Sequence, residues 1–133
     1  MKKSVLIKNN INEIGRLKDI SQEIVNDFEL DNNLIFNLNL ILEEVISNII
    51  FYGLEKNSIS DIEIHIEIKD KLLILEIIDE GIFFNPLIYI SDSQNDYKEE
   101  NKIGGLGILL IEKLSKSLEY QYYDNKNHLI IYL

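Results

Sequence analysis

Glu44 and Asn48 stand one helical turn apart in an otherwise apolar run, so on a helix they share a face and can reach one bound object. A carboxylate there can act as general base towards a hydroxyl, and an amide oxygen is a hard ligand suited to magnesium. With Glu43 and Ser47 the same pair also reads as the solvated edge of the helix. Asp79-Glu80-Gly81 is a second place of interest. An aspartate can accept a hydrogen bond from a ligand amino group, and glycine lets the backbone approach closely, although Asp and Gly also suit a plain strand-to-loop turn. Gly104-Gly105-Leu106-Gly107 opens into an apolar helical pattern. Exposed N–H groups and the positive end of the helix dipole make a local anion site there, and a glycine turn without function is the alternative. The run is not a Walker A loop, which needs a terminal Gly-Lys-Ser/Thr, and it lacks the third glycine and preceding strand of a dinucleotide fingerprint.

The elements that must hold these residues follow from hydrophobic period. Ser4 to Lys8 reads as a short strand, and Ile11, Ile14, Leu17, Ile20, Ile24 and Phe28 recur at helical spacing. Asn32 and Asn33 are start signals for a second helix, about Leu34 to Tyr52, whose wide apolar band includes Leu38, Ile41, Leu42 and Val45 and ends near Gly53. Isoleucine alternates with Glu63, His65 and Glu67 from Ile62 to Ile68, the pattern of a strand with one covered and one wet face. In a following strand, Leu72 to Asp79, the single interior charge Glu76 sets the parity: Leu73, Leu75 and Ile77 face the core, and Asp79 shares their side. Residues 82–103 have no clear period. Loops longer than about 12–15 residues are uncommon in compact domains and often act as lids, a role expected for Ser91 to Lys102. A last helix, about Ile108 to Ser117, precedes two strands split by Asp124 and Asn125. Neither a repeat nor an interdomain linker is visible, so residues 1–133 are read as one domain.

Bulk properties narrow the chemistry. Hydrophobic residues make up 46% and charged residues 27%, with one proline, as in a packed globular protein. The net charge of −10 repels phosphate backbones and anionic lipid, so neither direct nucleic-acid binding nor a membrane surface is expected. An anionic ligand therefore needs a local device such as the glycine-rich helix start. Without cysteine there is no disulfide, thiolate nucleophile or Cys-based metal site. His65 and His128 lack metal-ligand spacing and are expected to be ordinary surface residues. No nucleophile elbow and no His-Glu-x-x-His pair is present. Uncharged stretches such as Gly81 to Ser91 and Ile103 to Ile111 fall short of the roughly 18 apolar residues of a spanning helix, and no secretory signal is evident; a soluble, cytoplasmic protein is expected.

Taken in order, the three constellations resemble the ATP site of the GHKL superfamily. Glu44-Val45-Ile46-Ser47-Asn48 resembles its N-box, Asp79-Glu80-Gly81 its Asp-x-Gly box, and Gly104-Gly105-Leu106-Gly107 its glycine-rich box after a lid. The strings Asp79 to Pro86 and Ile103 to Ile108 are similar to those of the anti-sigma factor serine/threonine kinases. The resemblance covers nearly the whole chain. It implies a Bergerat-type α/β two-layer sandwich, with a mixed, mostly antiparallel sheet covered on one face by helices and ATP between the layers. It further implies that Asp79 contacts the adenine amino group, Gly81 shapes the base pocket and Asn48 holds Mg2+. Gly104, Gly105, Leu106 and Gly107 would receive phosphates, and Glu44 would be the catalytic base. The implied partners are an anti-anti-sigma STAS-domain protein, phosphorylated on serine or threonine, and a sigma factor; a homodimer is compatible with this. Three positions depart from the pattern. Phe83 replaces the second glycine of the broader Asp-x-Gly-x-Gly box. Tyr52 stands where many relatives have histidine and Ser117 where many have aspartate, and neither is expected to touch the ATP set. A non-catalytic nucleotide-binding switch that sequesters a partner is the rival function. A histidine-kinase ATP-binding domain, or a domain whose glycines only make turns, are further alternatives.

Overall fold

The computed structural model describes residues 2–53, 60–88 and 105–133. Strand β1 (Lys2–Lys8) leads through a 3-10 turn (Ile11–Arg16) into helix α1 (Leu17–Asp27), and then into helix α2 (Leu34–Asn48). A π-helical turn (Ile49–Gly53) extends α2, and β2 (Asp61–Lys69) and β3 (Leu72–Asp79) follow as a hairpin. Helix α3 (Gly105–Leu114) precedes the closing hairpin of β4 (Ser117–Tyr123) and β5 (Lys126–Tyr132). The five strands lie in the order β1-β2-β3-β5-β4. The sheet was expected to be mixed and mostly antiparallel; all four described pairings are antiparallel. For β2–β3 and β4–β5 the hairpins explain this, because two-residue connections join only antiparallel neighbours. Asp70-Lys71 and Asp124-Asn125 all have positive φ, the backbone of a type I′ turn, whose twist matches that of the flanking strands.

Period-2 patterning sets the two faces. Ile62, Ile64 and Ile66 of β2, Leu73, Leu75 and Ile77 of β3, and Leu129 and Ile131 of β5 are buried on one face. Against them pack Leu17, Ile20 and Ile24 of α1 and Leu38, Ile41, Leu42, Val45 and Ile46 of α2, forming one core between a sheet layer and a helix layer. Helix α2 is central to that layer and packs against both α1 and α3. The segment Leu34–Gly53 has a mean hydropathy of 1.6 and, by length and composition alone, is long enough to cross a membrane. The sequence reading that no stretch reaches that length passes over it because Glu43 and Glu44 interrupt the uncharged run. In the fold, its buried residues are the core's main helical contribution.

The opposite sheet face is polar at β2, where Glu63 and His65 pair at 2.9 Å. His128, expected at the surface, is instead 4% exposed. Its ring stacks on Tyr123 at a centroid distance of 3.8 Å, and its Nδ1 lies 3.1 Å from Glu76 Oε2. The expectation of an ordinary surface histidine is therefore corrected, because the neighbouring Tyr123 ring covers it. The helix starts and ends also differ in detail from the sequence reading. Asn33 stands at the α2 N-cap without a side-chain capping bond, α2 gives way to the π turn after Asn48, and α3 ends at Leu114.

Candidate functional site

Asp79 ends β3 on the covered face, as its parity requires, and is 6% exposed. Its Oδ1 accepts the Gly81 N–H at 2.8 Å, closing a turn within Asp79-Glu80-Gly81. Gly81 has a steric reason to be glycine. A Cβ there would overlap the Gly53 carbonyl oxygen and stand 2.7 Å from Asp79 Oδ1. The contact is a backbone latch, since the Ile82 N–H donates to that same Gly53 carbonyl at 3.0 Å. The π turn after Asn48 thus brings the end of the helix down onto the turn that ends β3. Such turns widen a helix by one residue and are frequent at functional sites.

Between these parts lies a cavity of about 290 Å³, close to the usual scale of small-molecule sites. Asn48 from α2 and Asp79 from β3 both line it, while Val45, Ile77, Ile108 and Leu129 give it apolar walls. Tyr52 lines it as well. The expectation that Tyr52 stays clear of the site is therefore corrected; the π turn carries this residue round to the cavity mouth, where it remains 54% exposed. Ser117 opens β4 away from the cavity. Phe83 does not line it either: its ring packs edge-on against Tyr122 and Tyr120 at centroid distances of 5.1 and 6.0 Å. A large residue in that position thus leaves the cavity intact.

Glu44 is not a lining residue. Its carboxylate lies against Gly107, where a Cβ would collide with Oε2. Gly105, Leu106 and Gly107 were expected to form a turn ahead of the helix and instead make up its first turn. The opening N–H groups of a helix need no intrahelical partner, so glycines can be taken into the helix while leaving those groups free for other acceptors. Gly104 and the expected lid, 91–102, lie outside the described residues. Among the described residues no group of three His, Cys, Asp or Glu is placed to hold a metal. A magnesium ion at Asn48 would then draw its other ligands from phosphate oxygens and water, as this ion commonly does.

Two residues that sequence reasoning missed complete the polar end of the cavity. Asn127 of β5 is paired in register with Asp79, is 6% exposed, and donates from Nδ2 to Asp79 Oδ1 at 3.1 Å. Tyr120 of β4 donates its hydroxyl proton to Asn127 Oδ1. The signal was available: Asn127 shares its covered-face parity with Leu129 and Ile131, and an amide in such a row needs a partner. Burial raises the Asp79 pKa above its ordinary value, and the Gly81 N–H, the Asn127 amide and the nearby His128 pull it back in part. Burial likewise raises the Tyr120 pKa, so its hydroxyl stays protonated and able to donate.

A helix layer on one face of an antiparallel sheet, with an apolar cavity between them tipped by a buried carboxylate, is the build of an α/β sandwich that binds a small ligand between its layers. The family model of the histidine kinase-like ATPase domain matches residues 7–133, and the chain belongs to that family. It is an ATP-binding domain with a Bergerat-type fold. A comparison with curated proteins gives no significant match.

Proposed function

We propose that this ATP-binding domain is a protein serine/threonine kinase of the anti-sigma factor type. It phosphorylates a hydroxyl of an anti-anti-sigma STAS-domain partner and binds a sigma factor in its alternate state, in the cytoplasm, and a homodimer is compatible with this role. The supporting observation is that Asp79 and Asn48 reach one cavity from opposite layers, while Glu44, one turn before Asn48, meets the first turn of α3.

In this reading Asp79 accepts a hydrogen bond from the adenine amino group, and Gly81 leaves room for the base. Asn48 ligates magnesium, the 104–107 segment receives phosphates, and Glu44 accepts the proton of the partner's hydroxyl as the phosphoryl group moves to it from ATP. Phosphoryl transfer asks a protein mainly for positioning and charge compensation, so a set this small suffices when the partner brings the hydroxyl. The test is transfer from labelled ATP to a STAS-domain partner. Glu44→Gln should keep ATP affinity and slow transfer by about 10²-fold, the usual scale for a general base. An unchanged transfer rate would remove Glu44 from that role.

One observation favours a second reading. Glu44 does not line the cavity that Asn48 and Asp79 share, as would suit a switch that binds nucleotide and sequesters a partner without chemistry. Wild-type protein that binds both ATP and partner yet transfers nothing would select this reading.

A further inference from the structure

Asn127 is held by more hydrogen bonds than any other side chain at the cavity. Its Oδ1 accepts the Phe84 N–H at 3.1 Å and the Tyr120 hydroxyl; its Nδ2 donates to the Ile82 carbonyl at 2.9 Å and to Asp79 Oδ1 at 3.1 Å, with the Gly81 carbonyl at 3.4 Å. These partners fix which end of the amide is which. The Phe84 N–H can only donate and the Ile82 carbonyl can only accept, so a flipped amide would set donor against donor and acceptor against acceptor. The orientation of Asn127 is therefore dictated by backbone and not by Asp79.

Asp79 is the partner that must conform. Its Oδ1 takes two N–H donors, from Gly81 and from Asn127. Among the described residues no hydrogen bond reaches its Oδ2. One oxygen is thus committed to the scaffold, and the other remains as an acceptor for whatever fills the cavity. We infer that Asn127 is a positioning residue that holds Asp79 with one acceptor oxygen presented to the ligand, and so sets the preference of the site for a base bearing an amino group over one bearing a keto oxygen. The selectivity part rests on the reading of Asp79 as the base contact. The positioning part rests on the hydrogen-bond network of Asn127 and Asp79 alone. Among the described residues, the ionisable groups near the pair include Tyr120 from β4 and His128, on the far face of β5, and the flanking Glu80 and Lys126, which pair with each other at 3.7 Å.

The inference is tested on the full chain with ADP and inosine diphosphate, both with magnesium, in calorimetry, and with the Asp79 carboxyl followed by carbon NMR across pH. Wild type should prefer ADP by about 10- to 100-fold, the scale of a hydrogen bond to a charged group. Asn127→Ala should raise the Asp79 pKa, because a donor to the ionised form is lost, and should narrow the ADP preference. Asn127→Asp keeps the shape and adds a readout that space-filling alone would not move. Ionised, the new carboxylate repels Asp79 and faces the Ile82 carbonyl without a proton. When the pair binds one proton and the new carboxyl carries it, the donor to Ile82 is restored and the repulsion of Asp79 is relieved. ADP affinity in this variant should therefore pass through a maximum as pH is lowered, where wild type shows only a decline as Asp79 protonates. If folded Asn127→Ala titrates at Asp79 like wild type, or the Asn127→Asp pH profile overlays that of wild type, Asn127 does not position Asp79. A wild type that fails to distinguish the two nucleotides overturns the base contact, and the selectivity role with it. The Asp79 titration then still decides the positioning claim by itself.

Discussion

The two ends of the cavity are built on different principles. At the Asp79 end every polar group described above is tied to another: the carboxylate to Gly81 and Asn127, the amide to Tyr120, Ile82 and Phe84, and the turn itself to Gly53. At the Asn48 end the side chains of Asn48 and Glu44 make no hydrogen bond among the described residues, and the neighbouring backbone is the opening turn of α3. Strands and a latched turn supply fixed groups. A helix edge and a helix start supply groups that await partners. Recognition of a flat, neutral base gains from preorganisation, because donors and acceptors held in place need no ordering on binding. In the proposed reading the Asn48 end meets phosphates and magnesium, which bring charge and ligands of their own and would complete it on binding.

The contrast can be broken most strongly at Gly81. Alanine there would push a methyl group into the Gly53 carbonyl, a backbone atom that cannot move without releasing the latch. Overpacking of this kind costs about 1–3 kcal/mol and sometimes more. Gly81→Ala should lie in the upper part of that range by chemical denaturation and should lose most ADP affinity. Alanine tolerated at full stability would mean that the latch is loose. At the other end, Asn48→Ala should leave stability within about 0.5 kcal/mol, as expected where no described hydrogen bond is removed. Its affinity for ADP should fall by about tenfold in magnesium and much less in chelator, as calorimetry with and without EDTA would show. An equal fall in both conditions would deny Asn48 its metal role. The smallest effect is expected far from both ends, at Lys71, whose φ of 66° is a conformation that glycine adopts without strain. Lys71→Gly should stabilise the protein by about 0.5–1 kcal/mol with unchanged ADP affinity. A loss of stability would show that the turn tolerates lysine without cost.

The legibility of the sequence followed the same division. Strict alternation in β2 and the single interior charge Glu76 in β3 marked the covered face and put Asp79 on it, because side-chain direction in a strand depends only on parity. The residues that organise Asp79 escaped notice, since Asn127 and Tyr120 sit on the last hairpin and meet Asp79 only through the β3–β5 pairing. Nothing local in the sequence announces that pairing. Helix α2 was legible as an apolar band, but not the π turn that carries Tyr52 to the cavity, because a one-residue change of helical repeat leaves the hydrophobic pattern nearly intact. The start of α3 was placed too late for a related reason: glycine disfavours helix interiors, and the first turn escapes part of that penalty by leaving its N–H groups open. His128 shows the limit of residue type: a lone histidine in a strand reads as a surface residue, and nothing local says that the Tyr123 ring covers it.

The central claim is that a nucleotide base is read by the ionised carboxylate of Asp79, and calorimetric titration of Mg–ADP into wild type and Asp79→Asn tests it most directly. Burial raises the folded pKa of Asp79 above its unfolded value. Its contribution to stability is therefore fully present below the unfolded pKa and is lost as pH rises through the folded pKa. At neutral pH the substitution should leave the protein at least as stable as wild type. That advantage should fade as pH falls through the folded pKa, where ADP affinity of the wild type should fall as well. In the folded variant at neutral pH the account predicts a loss of about 100-fold in ADP affinity, because an amide donor would replace the acceptor facing the base amino group. A folded Asp79→Asn protein that binds ADP as tightly as wild type would contradict it.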